Sequence, residues 1–204
     1  MKKVLLMTVL AVGAANADIV PNLAGTVTCD FDGGVGSNVC TYNYSATIHS
    51  QTQVTGTRDE DEFFTIYDFN GYVTGSGVAP TDWVFSTAGL GQTPDMINIG
   101  SKDDPTIPNL TFTYVGAASI TDGRTISGFQ AKSLFGPTTV ADWYSSQAHK
   151  QGDTPGSIVQ NVGQVQVPQP GQNEPGEVPE PMSMALLGGG LAALGLLPRR
   201  FKKN

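Results

Sequence analysis

Thr41-Tyr42-Asn43-Tyr44-Ser45-Ala46-Thr47-Ile48-His49 is the stretch that decides the fold. Tyr42, Tyr44, Ala46 and Ile48 fall on one side of an extended chain, and Thr41, Asn43, Ser45, Thr47 and His49 fall on the other. Successive side chains of a strand point to opposite faces, so this alternation predicts a strand with one face buried and one wet. Leu110, Phe112 and Tyr114 alternate with Thr111 and Thr113 in the same way. Phe63 to Phe69 is apolar on both faces, as a central strand is, and ends at the turn signal Asn70-Gly71. Further strands are expected at Leu23 to Cys29, Trp83 to Thr87, Ile126 to Phe135 and Thr139 to His149. A last one, from Val162 to Val167, reads as interrupted at Gly163. About eight short strands separated by turn chemistry predict an all-β domain, a single β-sandwich of jelly-roll or immunoglobulin-like type.

Composition agrees. Charged residues make up 14% of the 204 positions, while 25 Gly and 13 Pro favour turns and short strands over helices. All 18 acidic residues lie between Asp18 and Pro181, against only Arg58, Lys102, Arg124, Lys132 and Lys150. An acidic domain of this kind repels phosphate backbones, which argues against a nucleic-acid partner.

The remaining basic residues mark the two ends. Met1-Lys2-Lys3 precedes the apolar run Val4 to Ala14, and Ala15-Asn16-Ala17 supplies the small residues that a signal peptidase reads. Residues 1–17 are therefore expected to be a secretory signal peptide, handled by the Sec and signal-peptidase machinery and cleaved before Asp18. Export makes a disulfide between Cys29 and Cys40, the only cysteines, the default reading, stapling a hairpin loop. A metal site is the weaker alternative there.

The folded domain is expected to span 18–167. From Pro168 to Pro181 come five prolines and two glycines, an extended spacer that reaches about 43 Å in a polyproline-like conformation. The linker proper is 168–177. Residues 178–204 then read as three parts: Pro179-Glu180-Pro181, an uncharged apolar run from Met182 to Leu197, and a basic tail beginning at Arg199-Arg200. As a helix the run would rise about 24 Å, a marginal membrane span with its arginines held in the cytoplasm.

This arrangement resembles the PEP-CTERM sorting signal of Gram-negative bacteria, also catalogued as an ice-binding-protein C-terminal domain. The residues that carry the resemblance are Pro179, Glu180, Pro181, the run 182–197, Arg199 and Arg200, with Pro198 as a small departure. The resemblance implies recognition by exosortase, a membrane-embedded transpeptidase-like enzyme. It also implies transient membrane anchoring, then residence at the cell surface or in a matrix associated with exopolysaccharide and biofilm. Phe64 to Phe69, Asn70 to Val73, Asp104 to Tyr114 and Gln147 to Lys150 look like phrases of other, uncharacterised PEP-CTERM proteins, which implies one continuous domain and no particular activity.

Candidate chemistry is sparse. Asp142, Ser145, Ser146 and His149 share one stretch, yet no Gly-x-Ser-x-Gly elbow accompanies them, so a secreted hydrolase ranks last. Asp30-Phe31-Asp32-Gly33 resembles the opening of a calcium loop, but Thr41 stands where the closing Glu belongs. Asp30, Asp32, Asp59 and Asp61 are therefore weak calcium candidates, and no other cofactor is expected. Trp83, Trp143 and Tyr144 are candidates for stacking on sugar rings, set against ordinary core packing. The sequence thus favours a noncatalytic, exported surface or matrix protein, with a carbohydrate-binding module, calcium-assisted or not, as the alternative. The loop Gly89 to Pro108 is the longest candidate binding loop.

Overall fold

A computed structural model describes residues 18–30, 39–57, 61–152 and 157–169. Their strands are β1 (Ile19–Leu23), β2 (Thr28–Asp30), β3 (Val39–Ile48), β4 (Thr52–Gln53), β5 (Phe63–Ile66), β6 (Trp83–Ala88), β7 (Asn109–Tyr114), β8 (Arg124–Ser133), β9 (Thr139–Lys150) and β10 (Ile158–Pro168). The one helical turn among the described residues is a 3₁₀ turn at Gly100–Lys102.

The strands form two antiparallel sheets. In the first, β3 lies between β8 on one side and β1 and β2, end to end, on the other. In the second the order is β10-β9-β5-β7-β6, with β4 pairing the far end of β9. The fold is a β-sandwich. Tyr42, Tyr44, Ala46 and Ile48 of β3, with Phe129 and Ala131 of β8, face Phe64, Ile66, Leu110, Phe112 and Tyr144 across a common core. Phe129 is the centre of an aromatic cluster, with ring centroids 5.0 Å from Phe64, 5.1 Å from Phe112 and 5.1 Å from Trp83, each near edge-on. Such edge-to-face pairs add to the area each ring buries.

β3 alternates buried and half-buried residues along its whole length, as its sequence predicts. Its register with β8 shifts by one residue between Tyr44 and Ser45, where Gly128 is the extra residue at φ +102. A side chain there would be strained, so glycine allows the bulge that bends β8 over the core.

The bounds differ from expectation where backbone geometry intervenes. The strand expected from Leu23 to Cys29 is two, β1 and β2, separated around Gly25 at φ +75. The run Phe63 to Phe69 leaves the ladder after Ile66, because Asp68 takes a left-handed φ of +52. Gly163 does not interrupt β10. A Cβ there would lie 2.7 Å from Tyr144 Cε1, so the glycine makes room for the ring of its partner on β9. β10 also carries Pro168, one residue beyond the expected boundary at Val167, and Gln169 N–H still donates to the Thr138 carbonyl at 3.0 Å.

Cys29 and Cys40 sit directly opposite each other on β2 and β3 and are joined in a disulfide, Cα to Cα 3.9 Å. The signal peptide, the linker beyond Gln169, the sorting segment 178–204, Asp32 and Asp59 lie outside the described residues.

The connection from β6 to β7 covers the outer face of the second sheet. Thr65 Oγ1 donates to the Gln92 carbonyl at 2.6 Å, Tyr67 and Thr93 hydroxyls meet at 2.7 Å, and Gln92 Nε2 donates to Asp61 Oδ2 at 3.0 Å. That covering is why Phe63 to Phe69 is buried on both faces.

Candidate functional site

Two places on this frame gather polar chemistry. The first is a cavity of about 310 Å³ at one end of the sandwich, lined by Thr81, Asp82, Trp83, Tyr114, Ser119 and Arg124 among others. The start of β6, the turn after β7 and the start of β8 build it. Asp82 has a left-handed φ of +67, and its carbonyl accepts Val115 N–H at 2.8 Å, which pins the β6–β7 end. Left-handed backbone at a residue other than glycine is uncommon, and such positions concentrate at sites where geometry is over-determined.

Tyr114 forms part of the wall, its hydroxyl donating to the Ala118 carbonyl at 2.5 Å. Burial raises its pKa first, and the neighbouring Asp82 carboxylate raises it further against the opposing Arg124 guanidinium. Arg124 is itself steadied by Asp122, which accepts from Nε at 2.9 Å. One aromatic wall, a carboxylate, a guanidinium and the hydroxyls of Thr81 and Ser119 suit a small polar ring ligand. The volume is at the lower end of the ~300–1,000 Å³ typical of such sites.

The second place is an acidic corner where the β6–β7 connection crosses the ends of β5 and β9. Asp104 N–H donates to Asp68 Oδ1 at 3.0 Å, and Asn109 ties Asp68 N–H and Asp103 Oδ1 together, each at 2.8 Å. Burial, and then the charges of Asp142, Asp103 and Asp104, push the Asp68 carboxyl up to about 6. The Asp142 carboxyl is raised as well, by burial and then by Asp103. The Lys102 ammonium sits 3.5 Å from the centroid of the Trp143 ring, a cation–π contact that places one positive charge at this corner.

The sequence candidates disperse. Trp83 is only 6% exposed and packs against Phe64, Tyr114 and Phe129, so it is a core residue at the back of the cavity and not a sugar-stacking platform. Tyr144 is likewise buried in the core, its hydroxyl accepting from Asn161 at 2.9 Å. Its stacking role is withdrawn for the same reason. Trp143 is half-buried under Lys102. Asp30 is exposed at the end of β2, and Asp61 is engaged with Gln92. Among the described residues no three His, Cys, Asp or Glu side chains gather in a way that could hold a metal ion.

The Ser, Asp and His of β9 do not form a triad. His149 is fully buried and pairs with the equally buried Glu62, which also accepts from Thr55 N–H. Ser145 bonds the Tyr67 hydroxyl at 2.7 Å, and Asp142 accepts from its neighbour Trp143 N–H at 2.7 Å. His49, expected on the polar face, is partly exposed there and pairs with the buried Asp18.

Sequence reasoning missed Asp82 and Arg124, which are 42 positions apart and meet only through the fold. Trp83-Val84-Phe85 did carry a signal. Trp83 and Phe85 fall on one side of a strand, against the apolar face of β7, and that alternation marks Trp83 as a core residue.

No protein-family model, no curated protein and no solved structure matches the chain.

Proposed function

We propose that this chain is a noncatalytic, exported protein of a bacterial surface or extracellular matrix, associated with exopolysaccharide. The observation that carries the reading is the Cys29–Cys40 disulfide, a bond that persists in an oxidising compartment and is rare where thioredoxin and glutathione act. Cleavage before Asp18 would remove none of the described sandwich, whose first strand starts at Ile19. The resemblance of residues 178–204 to the PEP-CTERM signal supplies the address: exosortase acts on the membrane-held tail, and the Pro-rich spacer carries the sandwich clear of the membrane.

We read the sandwich as immunoglobulin-like rather than jelly-roll. β3 pairs with β1, β2 and β8 in one sheet, and in the other β9 lies between β10 and β5, an order that supports this choice. Acid-quenched alkylation of whole cells tests the compartment. Both thiols should be blocked in the wild-type chain and free in a chain lacking residues 1–17; free thiols in both would refute the export reading.

A second reading is favoured by the cavity beside Trp83. Its carboxylate, guanidinium and hydroxyls against an aromatic wall match one sugar residue of a polysaccharide. Co-sedimentation with the host's exopolysaccharide, with and without calcium, tests it. Saturable binding lost in Asp82→Asn supports the carbohydrate-binding module; binding that Asp82→Asn leaves unchanged removes it.

A further inference from the structure

The two charges that line the cavity beside Trp83 differ in what they have left to offer a ligand. Arg124 gives two of its N–H groups, from Nε and Nη2, to the single oxygen Oδ1 of Asp122, which stands outside the cavity, so its charge is already met. Ser119 Oγ accepts from Gln53 Nε2 at 3.4 Å. Asp82 has no counterpart to these contacts. Among the described residues no donor bonds its carboxylate and no basic side chain pairs with it, and the Thr81 hydroxyl beside it is equally unbonded.

The backbone holds that carboxylate where it is. Asp82 is fixed by its left-handed φ of +67 and by the bond from Val115 N–H to its carbonyl. A Cβ at Gly116, the next residue, would run into the Tyr114 hydroxyl and lie 2.8 Å from Asp82 Cβ, so glycine lets the phenol tip and the carboxylate side chain share one corner. The Tyr114 hydroxyl gives its proton to the Ala118 carbonyl, which leaves its oxygen only acceptor capacity. An ionised carboxylate is acceptor-only as well. The corner is therefore built for a group rich in donors, and a protonated amine, with three N–H groups and no acceptor, is such a group.

We propose that the ligand of this cavity is a protonated amino sugar, a residue of a polysaccharide that carries free amines, with its ammonium at Asp82 and the Tyr114 oxygen and its ring against the aromatic wall. The proposal rests on the reading of the cavity as a sugar site and names the class of sugar. A uronate fits worst, because its carboxylate meets Asp82 and Asp122 while the one guanidinium is already engaged. An N-acetylated sugar offers one neutral N–H in place of three charged donors, and hydrogen bonds with an ionised partner are about twice as strong as neutral ones. The field of the whole domain acts in the same direction. Between Asp18 and Pro181 lie all 18 acidic residues and only five basic ones, a balance that draws in a polycation and repels a polyanion.

Calorimetric titration of the full chain in a nonionic detergent tests this with three probes: a β-linked glucosamine hexamer, the same hexamer fully N-acetylated, and a hexauronate, in mildly acidic buffer where the sugar amines carry their protons. The glucosamine hexamer should bind at least about tenfold more tightly than the N-acetylated one, and the hexauronate should not bind. Asp82→Asn should abolish the preference for the amine. Asparagine is at home in left-handed backbone, so this variant should melt with the wild-type chain; the comparison of hexamers on the wild-type chain stands even if it melts lower. Asp95→Asn removes an equal charge from the loop beside β10, at the opposite end of the strand order from β6, and should leave the preference intact. Equal affinity for the two glucosamine hexamers, or a preference that both variants reduce alike, would overturn the amine assignment. Exopolysaccharide binding that needs Asp82, with no binding of the glucosamine hexamer, would overturn it while the sugar site stands. Absence of binding to every hexamer and to the exopolysaccharide would end both readings.

Discussion

Phe129 of β8 stands at 88° to Trp83 of β6, ring centroids 5.1 Å apart, and through this contact one sheet locks onto the other. Both residues are buried, and Phe64 and Phe112 close the cluster. Truncation leaves a cavity that well-packed aromatic neighbours cannot fill. Phe129→Ala should therefore cost about 3–5 kcal/mol, while Trp143→Ala, at the half-buried corner, should cost less than about 1.5 kcal/mol. Urea unfolding monitored by circular dichroism separates the two; equal losses would mean that the rings do not divide into core and rim.

The disulfide makes a second prediction. Cys29 and Cys40 close a short loop between facing strands, and replacing both with serine should lower stability by about 2–4 kcal/mol. The check is the melting midpoint of oxidised, reduced and serine forms. Reduced and serine forms should melt together, well below the oxidised one; coincidence of all three would remove the bond from the stability account.

Gly163 and Tyr144 supply a cycle. An added Cβ at 163 would lie 2.7 Å from the Tyr144 ring, so Gly163→Ala should destabilise by about 1–3 kcal/mol. In a Tyr144→Ala background the same change should be nearly neutral, because the clash is gone. Additive effects in the double variant would show that the ring does not set the requirement for glycine.

Acidity at the Asp68 corner gives a pH dependence with a definite sign. The folded carboxyl is pushed up to about 6 from an ordinary 3.8, so between those values the folded state holds more protons than the unfolded one. Its contribution to stability is thus present in acid and is lost as pH rises toward and past 6. Asp68→Asn, which keeps an oxygen to accept Asp104 N–H, should raise the melting temperature at pH 7.5 more than at pH 5. An equal change at the two pH values would contradict the burial argument.

Legibility in the sequence followed burial geometry. The face of β3 was readable because its outer side is open to water, so Thr41, Asn43, Ser45 and Thr47 could stay polar. β5 was readable as central because the Gln92–Thr93 segment covers its second face. The core-packing reading of Trp83 was legible in its alternation with Phe85, but its ring partners on β5, β7 and β8 were not, because none lies near it in sequence. His149 sits among polar alternations of a strand and gives no local sign that Glu62 awaits it. The cavity of Asp82 and Arg124 was equally silent: it depends on a left-handed backbone at Asp82, which no local pattern announces.

The central claim is that this sandwich is exported and delivered to the surface by its last 27 residues. Fractionation of cells expressing the full chain and a chain lacking 178–204, with the tagged sandwich quantified in cytosol, membrane, surface and medium, tests it most directly. The full chain should appear shortened and at the surface or in the matrix, and the truncated chain should be exported but released without surface retention. Identical size and distribution of the two chains, or retention of both in the cytosol, would contradict it.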